Sequence, residues 1–229
     1  MRGKLITIEG TDCSGKSTQL ALLCERLKRE GVEFKKVAFP RYDSPSSALV
    51  RMYLGGDFGE NVREVNAYAA SSFFAVDRVA SYLREWKDYI AGGGTVLLDR
   101  YVYSNIAYQC AKLGDEDKAG TLRDWIFNTE YGEFGLPVPD LNIFLDVPIG
   151  FVESKLKSQR GGADREYLEG AQDIHEADIE FQIRVRDMYR KQCGLDPKFI
   201  RIDCSDENGE MLPPGAIFAK IKAVVDAAL

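Results

Sequence analysis

Short apolar runs alternate along this chain with longer segments in which apolar residues recur at helical spacing. The short runs predict five β-strands, at residues 5–9, 33–39, 95–99, 141–146 and 199–203. Strands that alternate with helices favour a parallel sheet covered by helices on both faces. The pattern therefore predicts an α/β fold with three α/β/α layers and a five-stranded parallel sheet.

Helices are predicted in the segments between these strands. They cover residues 18–30, 66–91 and 104–112, with one more ending near residue 130 and a last amphipathic helix starting at Pro213 and Pro214. The segment 159–169 is polar, contains two glycines and carries two arginines, and this composition is typical of a flexible loop. We therefore expect a single domain over residues 1–229 with a short flexible lid at about 159–169.

A phosphate-binding loop follows the first predicted strand. Its residues satisfy the pattern Gly-x4-Gly-Lys-Ser/Thr at every fixed position, and with the residue that follows they are the predicted ATP-binding set: Gly10, Thr11, Asp12, Cys13, Ser14, Gly15, Lys16, Ser17 and Thr18. The glycines let backbone N–H groups turn toward one anion, and the next helix presents its positive end. The motif in this context is typical of P-loop nucleotide-binding proteins.

Charged residues follow the third predicted strand as well. Asp99 ends that strand and Arg100 comes next, and ligands of parallel α/β sheets bind beyond the carboxyl ends of the strands. The Ser17 hydroxyl and the Asp99 carboxylate are oxygen ligands suited to the Mg²⁺ that accompanies ATP. We expect Lys16 and Arg100 to act on phosphate groups as catalytic cations.

A second ligand is indicated by the long predicted helix. Phe74 and Arg78 are four residues apart and therefore lie on one helical face. The ring can stack on a base, and the guanidinium can donate to a base edge or a phosphate. In an arbitrary helix this pair would be a core phenylalanine beside a solvated arginine, so the pair alone does not establish a site.

Composition narrows the classes of partner. The 229 residues are 45% hydrophobic, and the formal net charge is −6. Because a negatively charged protein is repelled by nucleic acid and by anionic membranes, binding to these over a broad surface is not expected. The five cysteines, Cys13, Cys24, Cys110, Cys193 and Cys204, show neither metal-binding spacing nor a disulfide pattern. We expect a cytoplasmic protein that binds small molecules and neither nucleic acid nor membranes.

The order of these motifs resembles the thymidylate kinases, a family of nucleoside monophosphate kinases. The resemblance rests on the phosphate loop, on Phe39-Pro40-Arg41, on the helix with Phe74 and Arg78, on the segment from Asp99 through Gln109, and on the lid. It implies transfer of the γ-phosphoryl group of ATP to dTMP, with Mg²⁺, to give dTDP and ADP. It also implies a homodimer formed by helix packing, for which helices 66–91 and 104–112 could supply apolar faces.

The resemblance further implies a role for each matching residue. Asp12 resembles the carboxylate that meets the 3′-hydroxyl of the acceptor, Phe74 would stack on thymine and Arg78 would donate to its O4. Arg41 and Arg100 would hold the acceptor phosphate, and Tyr167 resembles a lid tyrosine near the sugar. The remaining residues assigned to the acceptor site are Phe39, Ser104, Asn105, Tyr108 and Gln109.

Two departures from the family pattern affect the expected mechanism. Some members have a catalytic arginine in the phosphate loop where this chain has Cys13, so the cation is expected from the lid, with Arg165 on the transferring phosphoryl group and Arg160 on the donor adenine. At the turn Phe39-Pro40-Arg41 the family often has another residue between proline and arginine, or arginine before proline, so the role of Arg41 does not follow from the motif. No catalytic histidine is needed, and His175 is expected on a helix surface.

Two alternatives stay open from the residues themselves. The acceptor could be another nucleotide or a deoxynucleoside, because base choice depends on side-chain geometry. A nucleotide-dependent switch is the other class, but the guanine-binding pattern Asn-Lys-x-Asp is absent from the sequence.

Overall fold

The computed structural model describes residues 3–158, 173–175 and 178–228. Its centre is a parallel sheet of five strands, β1 (Leu5–Glu9), β2 (Phe34–Ala38), β3 (Thr95–Asp99), β4 (Leu141–Asp146) and β5 (Phe199–Asp203). The strands lie in the order β2-β3-β1-β4-β5. Strand β1 is therefore central, with β3 on one side and β4 on the other.

The strand sequences fit these positions. Central strands β1 and β4 are buried at every residue, as expected for parallel strands covered on both faces. The edge strand β2 instead exposes Lys35 and Lys36, which oppose pairing with another chain. The predicted strands are confirmed, and β2 is one residue shorter at each end than the sequence suggested.

Helices fill both faces of the sheet. They are α1 (Lys16–Arg29), α2 (Ala48–Leu54), α3 (Ala67–Ser81), α4 (Lys87–Ala91), α5 (Val102–Cys110), α6 (Glu116–Phe127), α7 (Ile149–Ser158), α8 (Ile179–Leu195) and α9 (Pro214–Ala228). One core on the α1 and α9 side contains Leu20, Leu23 and Ile221, and the larger core on the α3, α5 and α8 side contains Trp86 and Tyr189. The predicted three-layer α/β/α fold is confirmed.

The long helix predicted at 66–91 is divided in the structure. Asn66 caps α3, its side chain accepting a hydrogen bond of 2.8 Å from the amide of Tyr68. A π-helical turn, Tyr82–Trp86, joins α3 to α4, and the side chain of Trp86 is buried there. A wider turn changes the direction in which side chains leave the helix, and hydrophobic periodicity alone does not reveal it.

One buried carboxylate joins α8 to the edge of the sheet. Asp146 ends β4 and is 1% exposed, and it accepts hydrogen bonds from the Nε atoms of Arg186 at 2.5 Å, Arg190 at 2.8 Å and Arg201 at 2.5 Å. Two of these arginines lie on α8 and the third on β5. Because a buried carboxylate is stable only when it is paired, Asp146 holds the helix and the edge strand in one arrangement.

We predict that Asp146→Asn lowers the free energy of unfolding by about 3 kcal/mol, because three guanidinium groups then surround a neutral amide. Urea denaturation followed by circular dichroism measures the change. The exposed i,i+4 pair of Lys222 and Asp226 provides the control, since Lys222→Ala should change stability by less than about 0.5 kcal/mol. Equal effects of the two variants would show that Asp146 does not organise the edge.

Within the described residues, no helix combines the length and the apolar character needed to cross a membrane.

Candidate active site

The phosphate loop connects β1 to α1, at the carboxyl edge of the sheet. A Cβ atom on Gly10 would lie 2.5 Å from the Ser14 hydroxyl oxygen, so a larger residue does not fit there. Gly15 has a φ of 80°, in the left-handed region that glycine adopts without strain, and α1 begins at the next residue. The first amides of α1 have no helical acceptor and point out of its amino end, where the dipole favours an anion.

Lys16 is buried in this loop. Its Nζ donates to the Thr11 carbonyl oxygen at 2.7 Å and to the Ser14 hydroxyl at 3.3 Å. Burial, with the added charge of Arg100, lowers the pKa of Lys16 to about 8, and the carboxylates of Asp99 and Asp12 oppose this shift. A phosphate group at the loop would add negative charge beside the amine and favour its charged form.

Two oxygen ligands lie side by side, Ser17 at the amino end of α1 and Asp99 at the carboxyl end of β3. The Ser17 hydroxyl donates to a carboxylate oxygen of Asp99 at 3.4 Å, and the Ser17 and Thr18 side chains are exposed. The described residues contain no cluster of three carboxylate, imidazole or thiol ligands. The donor set therefore fits a hard cation such as Mg²⁺ that takes its other ligands from phosphates and water.

A cleft opens beside the phosphate loop. Ligand sites of small molecules commonly combine apolar walls with a few polar groups, as this cleft does. Its lining comes from α2, α3, α5, the phosphate loop, the loops after β2 and β3 and the segment 173–175, and consists of Asp12, Phe39, Pro40, Tyr42, Leu54, Phe74, Arg78, Arg100, Ser104, Asn105, Tyr108, Gln109, Asp173 and His175. All predicted acceptor-site residues within the described ranges are present except Arg41.

Arg100 and Asp12 form an ion pair at the boundary between the loop and the cleft. The Arg100 Nη2 to Asp12 Oδ1 distance is 2.5 Å, and Arg100 Nη1 donates to the Gly10 carbonyl oxygen at 2.8 Å. Tyr108 donates its hydroxyl to the other oxygen of Asp12 at 2.7 Å. Burial opposes ionisation of Asp12, but Arg100, Lys16 and the hydrogen bonds together hold its pKa below the ordinary value.

Arg78 is held by a carboxylate that the sequence analysis did not single out. Its Nε and Nη2 donate to the two oxygens of Glu130 at 2.5 and 2.7 Å, and both side chains are almost fully buried. Asn105 donates to the same carboxylate at 2.8 Å. Glu130 lies 52 positions along the chain from Arg78, so sequence spacing contains no signal for this pair.

Several polar atoms in the cleft wall have no hydrogen-bond partner among the described residues. They include Oδ1 of Asn105 and both amide atoms of Gln109, and both side chains are almost fully buried. An unsatisfied buried polar atom costs roughly 1–3 kcal/mol, which is recovered when a ligand supplies the missing partner. These atoms indicate a polar ligand that enters the cleft.

Arg41 occupies a different position from the one its predicted role requires. Its Nη1 contacts the carboxylate of Glu85 and lies 3.4 Å from the Ser81 hydroxyl, and its backbone amide donates to Asp77 at 2.8 Å. The side chain faces α3 and the π-helical turn, and it does not line the cleft. The structure thus shows Arg41 paired with an acidic residue on the protein itself.

The predicted lid residues Arg160, Arg165 and Tyr167 lie outside the described residues. His175, expected on a helix surface, was placed wrongly: its side chain is 5% exposed, lies in a turn before α8 and lines the cleft. The residues after the lid contain no hydrophobic repeat that indicates this position. Tertiary packing decides it, because Tyr53, Tyr108 and Phe181 surround the imidazole.

Gln182 was also missed. It is fully buried on α8, and its amide nitrogen donates to Asp12 and to the carbonyl oxygen of His175, both at 2.8 Å. Its amide oxygen accepts from the backbone N–H of Asp12 at 3.3 Å. One side chain therefore connects the phosphate loop to the segment 173–175.

A buried amine lies behind the cleft. Lys112 is 8% exposed, its Nζ has no hydrogen-bond partner among the described residues, and it lies 4.6 Å from the centre of the Tyr53 ring. Burial lowers the pKa of Lys112 from the ordinary 10.5 to about 7. The aromatic face compensates part of the cost of burying this charge.

A phosphate loop on the central strand and a second cleft beside it define a P-loop phosphotransferase with separate donor and acceptor sites. A family model described as "Thymidylate kinase" matches residues 8–212. The thymidylate kinase of Mycobacterium tuberculosis is 36% identical over 186 residues, covering 81% of this chain and 83% of that protein. The thymidylate kinase of Halothermothrix orenii is 31% identical over 213 residues, covering 92% and 93%.

Two solved structures share the fold. Thymidylate kinase from Candida albicans superimposes with a TM-score of 0.71 at 24% identity, covering 99% of this chain and 92% of the other. The enzyme from Ehrlichia chaffeensis gives a TM-score of 0.66 at 22% identity, covering 98% and 100%. The chain belongs to the thymidylate kinase family, whose members are phosphotransferases acting on dTMP.

We predict that Lys112→Met stabilises the protein by about 2 kcal/mol at pH 6 and that the gain decreases as the pH rises toward 10.5. Between about pH 7 and 10.5 the unfolded chain binds a proton that the folded chain has released, so the stability of the wild type rises with pH over this range. The cost of the buried charge is fully present below pH 7.

Urea denaturation at several pH values measures this difference. Lys118→Met, at an exposed position on α6, is the control and should show no comparable dependence on pH. A gain for Lys112→Met that is the same at pH 6 and pH 10 would mean that burial does not lower the pKa of Lys112.

Proposed function

We propose that this chain transfers the γ-phosphoryl group of ATP from the phosphate loop to dTMP bound in the adjacent cleft. The observation that carries the proposal is the set of unsatisfied amide atoms of Asn105 and Gln109 beside the ring of Phe74. Thymine has two carbonyl oxygens and one N–H group, so a wall of amides and a guanidinium complements its edge. Family membership supports the same acceptor.

Base selectivity follows from the orientation of Arg78. Glu130 accepts from Nε and Nη2, and we assign the third nitrogen, Nη1, to the O4 carbonyl of thymine. An amine at this position, as in cytosine, would place two donors against each other. The Asn105 Oδ1 atom is assigned to the N–H of the base.

The sugar and the acceptor phosphate fall near the Asp12 and Arg100 pair. Asp12 Oδ2 accepts from Tyr108 and Gln182, whereas Oδ1 accepts from Arg100 and retains a lone pair for the 3′-hydroxyl. We assign the acceptor phosphate to Arg100. The Arg41 side chain is paired with Glu85, so we assign it no direct contact with the acceptor phosphate. It would contact that phosphate only after leaving this ion pair.

Phosphoryl transfer needs cations and alignment more than a protein nucleophile, because negative charge accumulates on the equatorial oxygens. Lys16 would neutralise the donor phosphates, and Arg100 would contact the acceptor. Ser17 and Asp99 would hold Mg²⁺, which supplies charge neutralisation on ATP when bound. The phosphate loop has Cys13 where some family members have a catalytic arginine, so we assign Arg165 of the lid to the transferring phosphoryl group. Arg160 is assigned to the donor adenine and Tyr167 to the sugar of the acceptor.

Two further properties belong to the proposal. We place the protein in the cytoplasm, in accord with a sequence whose five cysteines show no disulfide pattern. We also propose a homodimer formed by the exposed apolar face of α3 and its continuation, where Tyr68, Val76 and Leu83 are 37%, 46% and 57% exposed. Helix α5 was expected to contribute, but each of its residues is buried within the chain, so it is excluded from this interface.

The acceptor is tested by ADP release with ATP, Mg²⁺ and a panel of dTMP, dUMP, UMP, dCMP, AMP and thymidine. We expect dTMP to be preferred, with dUMP second, and Lys16→Met to lower kcat by about 10²-fold or more because a phosphate-binding charge is lost. Turnover with thymidine but not dTMP would contradict the assigned phosphate site. ADP release that no acceptor stimulates would favour a nucleotide switch.

Gln109→Leu separates recognition from stability. The variant removes two unsatisfied buried amide atoms, so the free protein should be at least as stable as the wild type, whereas KM for dTMP should rise about tenfold. KM for ATP should not change. Lys118→Gln, exposed on α6, is the matched control for both constants, and an unchanged dTMP KM in Gln109→Leu would remove Gln109 from the base site.

The dimer is tested by sedimentation equilibrium. The wild type should have twice the 25.6 kDa mass of one chain, and the double variant Val76→Asp, Leu83→Asp should shift toward a single chain because charges are buried at the interface. Ile183→Asp, at a 40% exposed position on α8, is the control. A wild-type mass of one chain would overturn the proposed homodimer.

A further inference from the structure

We propose that the acceptor base is clamped between the rings of Phe74 and His175, so that His175 is a base-binding residue of the acceptor site. This inference rests on the proposed function, in which the cleft receives a nucleoside monophosphate. It assigns to the described segment 173–175 a direct contact with the base.

The spacing of the two rings is the first argument. Their centroids are 6.5 Å apart and their planes are inclined by 23°, which is close to parallel. Stacked aromatic layers are about 3.5 Å apart, so a base between two rings needs about 7 Å. The separation of the two centroids is about half an ångström less than this spacing, and both rings belong to the lining of the cleft.

The third side of the slot is closed by Tyr53. Its ring is perpendicular to Phe74, with an angle of 90° and a centroid distance of 6.1 Å, and nearly perpendicular to His175 at 73° and 5.4 Å. Tyr53 is fully buried, so it marks the inner end of the slot. A planar ligand would therefore enter from the side opposite Tyr53.

His175 is fixed in orientation before any ligand arrives. Tyr108 stacks behind it at 5.0 Å and 28°, and the Tyr53 hydroxyl forms a 2.9 Å hydrogen bond with Nε2. A wall that is already ordered loses little conformational entropy on binding. Burial lowers the pKa of His175 to about 3, so the imidazole stacks as a neutral ring throughout the physiological range.

The backbone around His175 is anchored on both sides. The amide of Ile174 donates to the Leu54 carbonyl oxygen at 3.2 Å, and the amide of His175 donates to Asp173 at 2.7 Å. The His175 carbonyl oxygen accepts from Gln182, which also holds Asp12. These bonds connect the segment to α2, to α8 and to the phosphate loop, and they keep the ring facing Phe74.

Two substitutions at position 175 separate stacking from hydrogen bonding. His175→Asn removes the ring together with the hydrogen bond, because its amide nitrogen corresponds to Nδ1 and not to the Nε2 atom that contacts Tyr53, whereas His175→Phe keeps the ring and removes only the hydrogen bond. We expect His175→Asn to raise Kd and KM for dTMP about tenfold with kcat within twofold, because one stacked face of the base is lost. His175→Phe should stay within about twofold of the wild type.

Isothermal titration calorimetry gives Kd, and the decrease in thymine absorbance on binding gives a separate reading of stacking. That decrease should be smaller in His175→Asn than in His175→Phe. If either substitution at position 175 lowers the melting temperature, Tyr53→Phe replaces it in the test. This variant removes only the hydroxyl that bonds to His175 and leaves the imidazole ring in place. Leu195→Ala, at a 55% exposed position on α8, is the control.

An unchanged dTMP affinity in His175→Asn would overturn the clamp. Equal losses of affinity in His175→Phe and His175→Asn would overturn it as well, because they would show that the hydrogen bond and not the ring is required. Binding distinguishes this inference from the proposed function. A wild type that binds dTMP without phosphorylating it, together with the His175→Asn deficit, would overturn the function alone. A wild type that does not bind dTMP would overturn both.

Discussion

The ion pair between Arg100 and Asp12 is the contact on which the site depends. Asp12 comes from the loop after β1, and Arg100 from the loop after β3, so the pair joins the two strands that present the proposed donor and acceptor sites. Arg100 adopts a φ of 65°, an unusual conformation for a residue with a side chain, and its bond to the Gly10 carbonyl oxygen helps to hold it there. In the proposed function, the orientation of the Arg100 side chain thus sets the position of both ligands.

Two further charged side chains near this pair, Glu9 and Lys16, are buried. Glu9 is fully buried beneath it, where burial raises its pKa and hydrogen bonds from Ser104 and the Tyr101 amide oppose that shift. Lys16 is buried as well, and its pKa is lowered to about 8. A phosphate in the loop shifts this balance in favour of the charged lysine, so ligand binding and protonation are coupled at the site.

The acceptor cleft shows how recognition costs stability. Asn105 and Gln109 keep polar atoms buried without partners among the described residues, and an apolar wall would avoid this cost. Arg78 avoids it through Glu130, which also fixes the direction of the guanidinium. The cleft therefore combines one group held rigidly by a carboxylate with others that obtain their partners from the ligand.

The sequence by itself determined the fold class, four of the five strand boundaries and the phosphate loop, because apolar periodicity and glycine spacing are local properties of the chain. It also placed Phe74 and Arg78 on one helical face. Only the tertiary structure decided that Glu130 holds Arg78, that Arg41 pairs with Glu85 and that His175 is buried in the cleft. These contacts join residues that lie far apart in the chain or outside any periodic pattern. Local spacing does not distinguish between the possible partners of such residues, and the packing of helices against strands selects one of them.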